Sequence, residues 1–517
     1  MFKPLQFEPE VENLVRFVEE ADPRNVVEQT VAKLRNGTSV EAMITASALA
    51  IVRSTDLPPN HHGGPVHPIC GIRAVHGTSR RLEGELSFLP VVQHATLCNN
   101  HTHSPQMGPY LMPEIEPMPG SVGDVGTYHV SDAALHSQAR VTEDDGADDV
   151  GRTTAALERS LRTHNSNAAE HYFIWLLDKI ASDEALDQLL PLAIEGNNLD
   201  DHNFIYPVYT ARALDIVGWQ WASTLFRPAI RYQARQKAAL VSALSIDFGQ
   251  LETLLDDYSL LEKPPADTPE TDESEHIGAL GMQMGLNKNY LDNIELMAKA
   301  LAEGLSLQGA GEALSIGSAL AYLSTSYGNP MDSHLHTGTN NRRYLLSLPG
   351  VSLRNKLLAL LTGFTGPEVL LAESLLNWES NLDPSITEGL AQRSEDDLLA
   401  AIVESIETQP WLDWRAIGVD QVVAPDQVKD TIALARQYSQ LGYDAERYFA
   451  CLAEISCRDD FTEMHSLKHF QAIADEYYQT REPYRWVHMV SAAKSAAVTH
   501  VGQEHAVYQQ TKALLRH

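Results

Sequence analysis

Cysteine is scarce in this chain: there are four in 517 residues. Cys70, Cys98, Cys451 and Cys457 form no C-x-x-C pair and no zinc-like spacing. A disulfide framework is excluded as the source of stability, and all four read as small buried hydrophobes in helical context. Long apolar runs are also missing. Nowhere do about 18 uncharged apolar residues follow one another, and the opening MFKPLQFEPEVENLVRF holds no apolar stretch of signal-sequence length. No membrane partner is expected, and the expected location is cytoplasmic. Positive charge is in deficit, with 38 lysines and arginines against 69 acids and a net charge of −31. Such a surface repels a phosphate backbone, and no basic stripe forms, so no nucleic-acid partner is expected.

Familiar catalytic fingerprints are lacking as well. The chain has no G-x-S-x-G elbow, no G-K-[ST] loop, no H-E-x-x-H, no C-x-x-C-H and no E-x-x-H pair repeated on facing helices. GALGMQMG, near residue 278, lies in a helical setting and makes a poor dinucleotide cradle. If NADPH or a flavin serves this protein, no fingerprint marks its place.

What the sequence does hold is helical periodicity. VENLVRFVEEA, AAEHYFIWLLDKI, DNIELMAKALAEGL and DDLLAAIVESIETQPWL space their apolar residues by three and four, and strand alternation is scarce. The fold class is all-α, with more than half of the residues in helices. Three stretches interrupt the pattern: a Pro/Gly loop at 101–128, an acidic surface stretch at 142–151, and the acidic Pro-rich segment 262–276, which reads as a linker. The implied division is an N-terminal helical unit over 1–140, a second over 152–261 and a C-terminal helical region over 277–517.

Three segments share an order of features that composition alone does not impose. SVEAMITASALAI from Ser39, SDEALDQLLPLAI from Ser182 and AGEALSIGSALAYL from Ala310 each set a glutamate beside alanine near a helix start. Downstream, VHPICGIRAV from Val66 matches IYPVYTARAL from Ile205, with Tyr206 where His67 stands. A proline-led helix follows each match, at Pro90 and Pro228. In the third copy His336 precedes Arg342 as His67 precedes Arg73. About three related units, curled around a central cavity, are expected.

The 21 histidines concentrate near loop-to-helix junctions: His61, His62 and His67; His94, His101 and His103; His164 and His171; His202; His334 and His336; His465 and His469. Imidazole can bind a metal, move a proton or hold a substrate oxygen near neutral pH. Equivalent helix starts in a closed helical array face a common centre, so His67, His164, His202, His336 and His465 are expected to line one site, with Arg342 stabilising a phenolate or enolate. A bland alternative pairs Arg73, Arg212 and Arg342 with Glu41, Glu184 and Glu312. For a metal, the four-residue spacing of His465 and His469 puts both on one helix face, and His334 with His336 completes the candidate set.

Several of these segments resemble the questin-oxidase-like family. THNSNAAEHYFIWL with His164, VHPICGIRAVHGTSRRL, SHLHTGTNNRRYLLSLP with His336, Thr339 and Arg342, and MHSLKHFQAIADEY with His465 and Lys468 are similar to its histidine-led helices. The resemblance covers about a fifth of the chain. It implies an all-α fold and an oxygenase of Baeyer–Villiger type or a related oxidation, acting on an aromatic or polyketide-like small molecule. Iron and NADPH both stay open as cofactors, and the oligomeric state is not legible. Two other readings stay open beside it: a non-catalytic helical-repeat scaffold, and a histidine-metal-dependent hydrolase or lyase.

Overall fold

The computed structural model describes residues 3–57, 63–120, 149–197, 201–235, 248–326, 333–365, 369, 373, 376–409, 426–459, 463–500 and 505–516. It is 73 % helical. Among the described residues no strand forms, and two isolated β-bridges, Pro4 to Pro113 and Thr325 to Leu376, are the extent of extended pairing. The all-α expectation holds.

Eleven helices position the site: α1 (Val40–Ser54), α2 (Val66–Arg81), α3 (Phe88–Thr102), α4 (His202–Val217), α5 (Arg227–Arg235), α6 (Leu307–Ser324), α7 (His334–Leu346), α8 (Leu353–Leu361), α9 (Ala445–Ser456), α10 (His465–Gln479) and α11 (Arg485–His500). Four of them are inner. α2 packs on α4, α4 on α7, α7 on α10 and α10 on α2, which closes a ring. The others lie against this ring: α1 and α3 on α2, α5 on α4, α6 and α8 on α7, and α9 and α11 on α10. Where the sequence pattern suggests three units, four inner helices recur, two of them from the C-terminal region.

Local chemistry accounts for these elements. α1 begins at Ser39, whose Oγ accepts the Ala42 N–H at 3.1 Å, satisfying one of the donors that a helix start leaves over. Met43, Ile44, Leu49, Ile51 and Val52 are all buried, because α1 is enclosed by α2, α3 and the helix Pro9–Glu20. Ser306 caps α6 in the same way through Gly309. Pro90 and Pro228 both fall in the first turns of α3 and α5, where a missing N–H costs nothing. The glycines of GALGMQMG serve packing. A Cβ at Gly285 would stand 2.5 Å from the Gly317 carbonyl oxygen, so small residues allow the helix Ser274–Gly285 to lie close on α6.

Two boundaries differ from expectation. The helix Asp149–Arg162 takes in the end of the acidic stretch, the rest of which lies outside the described residues. The Pro-rich segment is irregular only as far as Glu273, since a helix begins at Ser274. That segment is also docked: the N–H groups of Leu307 and Gln308 donate to the carbonyls of Ala266 and Asp267.

Candidate functional site: a buried histidine cluster at four helix starts

Each inner helix opens on a histidine. His202, His334 and His465 are the first residues of α4, α7 and α10, and His67 is the second of α2. All four rings are buried. Ring centroids lie 4.6 Å apart for His67 and His465, 4.8 Å for His67 and His202, 5.5 Å for His202 and His334, 5.7 Å for His334 and His465, and 5.8 Å for His202 and His465. One nitrogen from each of His67, His202 and His465 lies within 4.8 Å of the other two.

The backbone turns sharply into these helices. Asp201, directly before His202, has φ 55°, and Glu463 and Met464, directly before His465, have φ 51° and 71°. Gly64 occupies the same left-handed region at φ 66° ahead of α2. For residues bearing a Cβ this conformation is disfavoured, and strain of this kind gathers at functional sites.

Charged groups border the cluster. Lys468, one turn into α10, sets Nζ 3.4 Å from His67 Nδ1. Glu463 spans two rings, with Oε2 3.5 Å from His67 Nε2 and Oε1 3.7 Å from His101 Nε2. The other nitrogen of His101 donates to the Gly64 carbonyl at 2.9 Å, which ties this pair to the turn before α2.

A second layer lies one turn deeper. His469 Nε2 meets His336 Nδ1 at 2.9 Å, and His469 Nδ1 meets Ser495 Oγ at 3.1 Å. Tyr322 packs edge-on against both rings. His488 contacts Thr480 Oγ1 at 3.1 Å and Ser315 Oγ at 3.3 Å. Burial drives His336 and His469 well below the usual imidazole range, and neighbouring positive charge on Lys494 adds to it. These rings are neutral.

The expected five-ring site is therefore met in part. His67, His202 and His465 converge, His334 joins them, and His336 belongs to the deeper layer. His164 stands apart: it is exposed, and its Nδ1 donates to the Ala234 carbonyl at 2.7 Å. The expected metal set His334, His336, His465 and His469 is split, because a nitrogen of His336 and one of His469 are committed to each other. His61 and His62 lie outside the described residues.

Arg342 has a structural post. Its guanidinium donates to the carbonyls of Ala359 at 2.8 Å and Thr362 at 3.0 Å, and reaches Asp201 Oδ2 at 3.3 Å. It thus fixes the turn that presents His202. The bland pairing of the arginines with the repeat glutamates also differs from what is found. Arg73 and Arg212 both meet Asp475, while Glu312 holds Arg481, Glu41 faces His76 and Glu184 bonds the Ala181 N–H. Glu463 is the site residue that sequence reasoning misses, and His101, named there only among the clustered histidines, is its second partner. Cys70, Cys98 and Cys457 are buried as expected, with burial pushing the Cys70 thiol up to about 12, whereas Cys451 is half-buried. No helix among the described residues is long and apolar enough to cross a membrane. No family model, curated protein or solved structure matches this chain.

Proposed function

We propose that this chain is an oxygenase-type oxidoreductase that takes an aromatic or polyketide-like small molecule against the four-imidazole cluster. The observation that supports it is the convergence of His67, His202, His334 and His465 from four separate helix starts into one buried group. A scaffold has no use for four imidazoles withdrawn from water. In its neutral form an imidazole offers a basic nitrogen and an N–H donor, the two functions needed to ionise a phenol and hold the resulting oxyanion.

The surroundings favour an anion. A phenol ionises near pH 10 in water, and lowering that value needs positive potential. Four helix starts supply first-turn N–H groups and the positive end of the helix dipole, and Lys468 adds an ammonium beside His67. An ionised phenol or enolate is electron-rich and suited to oxidation by dioxygen. A monooxygenation places one oxygen atom in the product and reduces the other to water, with two electrons and one proton drawn as hydride from a donor such as NADPH and the second proton drawn from solvent. The cluster's part is to take the phenolic proton, hold the anion and return a proton.

A second reading, a metal-dependent hydrolase or lyase, draws on the close approach of three imidazole nitrogens. The two are separated by supplying hydroxylated anthraquinones and simpler phenols with NADPH under ¹⁸O-labelled dioxygen. Product carrying the label, lost in His202→Ala and His465→Ala, is the expected outcome. Label from water alone would replace this reading with hydrolysis.

A further inference from the structure

We infer that Arg231 of α5 and Tyr206 of α4 form a binding site for a carboxylate at the end of the substrate remote from the histidines, so that the chain selects hydroxylated aromatic acids. This rests on the reading of the cluster as the place that holds the substrate's hydroxyl, but it concerns the other end of the molecule and is measurable by binding alone.

Unmatched donors carry the inference. Both residues are buried. The Arg231 guanidinium gives Nη1 to Glu170 at 3.3 Å, while its Nε and Nη2 find no hydrogen-bond acceptor among the described residues. Asp56 Oδ1 stands 3.1 Å from Nε, at ion-pair distance but off the line of its N–H, and Asp56 is also held by Arg235 at 3.0 Å. Nε and Nη2 form the edge that a carboxylate accepts through two parallel bonds. The Tyr206 hydroxyl is likewise buried with no partner among the described residues. Phenylalanine in its place would spare the fold the cost of that stranded group, so the hydroxyl points to a ligand.

Placement and charge agree with this. Tyr206 follows His202 by four residues and shares its face of α4, so a molecule lying along that face reaches both. α5 packs on α4, the Tyr206 and Tyr232 rings meet edge to face at 5.9 Å, and Arg231 and Tyr206 are close enough to act on each other's ionisation. Burial, with the Cys70 thiol adding to it, pushes the Tyr206 phenol well above its ordinary value against the pull of Arg231, which leaves a neutral O–H to donate to an anion. Burial works against the Arg231 charge, but Glu170, Tyr110 and Asp56 outweigh it. The Tyr110 ring covers a face of the guanidinium at 5.3 Å and leaves its edge for the ligand. Arg227, Arg231 and Arg235, one turn apart on α5, meet two carboxylates, Glu170 and Asp56, so one positive charge remains for an anion to balance.

The test is calorimetric titration of the full chain at neutral pH with 4-hydroxybenzoate and, as an uncharged control of the same shape, 4-hydroxybenzamide. The acid should bind at one per chain and at least about tenfold more tightly than the amide. Tyr206→Phe should weaken the acid about tenfold, the effect of losing a hydrogen bond to a charged group, and should leave the denaturation midpoint of the free protein no lower, since no partner is deserted. Arg231→Lys keeps a charge beside Glu170 but lacks the fork, and should weaken binding further. If circular dichroism shows that Arg231→Lys fails to fold, Tyr206→Phe decides alone. Equal binding of acid and amide, no binding of the acid at millimolar concentration, or a Tyr206→Phe protein that loses stability or binds the acid unchanged, overturns the carboxylate site. The labelled-dioxygen experiment separates this from the oxygenase reading: labelled product from neutral phenols with no preference for the acid keeps that reading and removes this site, and selective acid binding without labelled product does the reverse.

Discussion

His469 Nε2 lies 2.9 Å from His336 Nδ1, so one of these buried rings donates to the other. The pair supports the cluster from beneath and does not belong to it. Replacing His469 by leucine leaves a nitrogen of His336 and the Ser495 hydroxyl without a partner in a buried setting, at a cost of about 1–3 kcal/mol for a deserted buried group. The expected result is a lower denaturation midpoint with labelled product still formed by the folded protein. Loss of labelled product in a folded His469→Leu protein would move the site one turn deeper than the geometry places it.

Acid should unfold this protein earlier than its carboxylates alone require. Burial holds His94 down to about 4, against a partly compensating bond to the Pro68 carbonyl, and burial with Arg343 nearby holds His488 down to about 3. The unfolded chain binds these protons near pH 6.5, so between that value and the depressed ones it carries more protons than the fold does. Stability is complete above pH 6.5 and is lost as pH falls through the window, by about 3 kcal/mol for His94 alone. Urea midpoints measured from pH 7.5 to 4 should fall steadily, and His94→Gln should flatten the slope. A profile level down to pH 5 would contradict it.

Close packing of α6 on the helix Ser274–Gly285 gives a steric prediction. With the Gly317 oxygen 2.5 Å and the Leu320 Cβ 2.7 Å from the position of a Cβ on Gly285, alanine there forces the two helices apart. Gly285→Ala should lower stability by about 1–3 kcal/mol, the usual cost of overpacking, although alanine is the better helix former. A more stable Gly285→Ala protein would mean that the helices separate at no cost.

Helix content and the placing of three of the four ring histidines were legible because both depend on local spacing: amphipathic periodicity, and a histidine beside a turn. The register between units was not. Aligning IYP with VHP sets Tyr206 opposite His67, yet Pro207 lies inside α4, whereas Pro68 sits in the first turn of α2. The ring that meets the cluster is His202, one helical turn before Tyr206. His336 was misplaced for a related reason: it stands two residues after His334, about 200° around the helix, and so faces the layer shared with His469. His164 had a helix start after it, but that helix, Ser166–Lys179, is not one of the inner four. Glu463 and Asp475 were invisible because their partners, His67 and His101 for one and Arg73 and Arg212 for the other, are distant in sequence.

Asp475 tests the closure of the ring. From α10 it meets Arg73 of α2 at 2.9 Å and Arg212 of α4 at 3.3 Å, and it accepts from Gln471 at 2.7 Å. Arg212 is buried and also donates to Asn340 and Asn341 of α7 at 2.6 and 3.2 Å. Three inner helices thus meet at one guanidinium, and all four through Arg73 as well. Removing the carboxylate leaves that guanidinium buried with neutral partners only, and breaking a buried pair from one side costs about 3–5 kcal/mol. Asp475→Leu should therefore be strongly destabilised, and Arg212→Met similarly. Replacing both together withdraws both charges and should cost clearly less than the sum of the single changes, giving a coupling that a double-mutant cycle on urea denaturation reads directly. Strict additivity would show that Asp475 and Arg212 do not act as a pair.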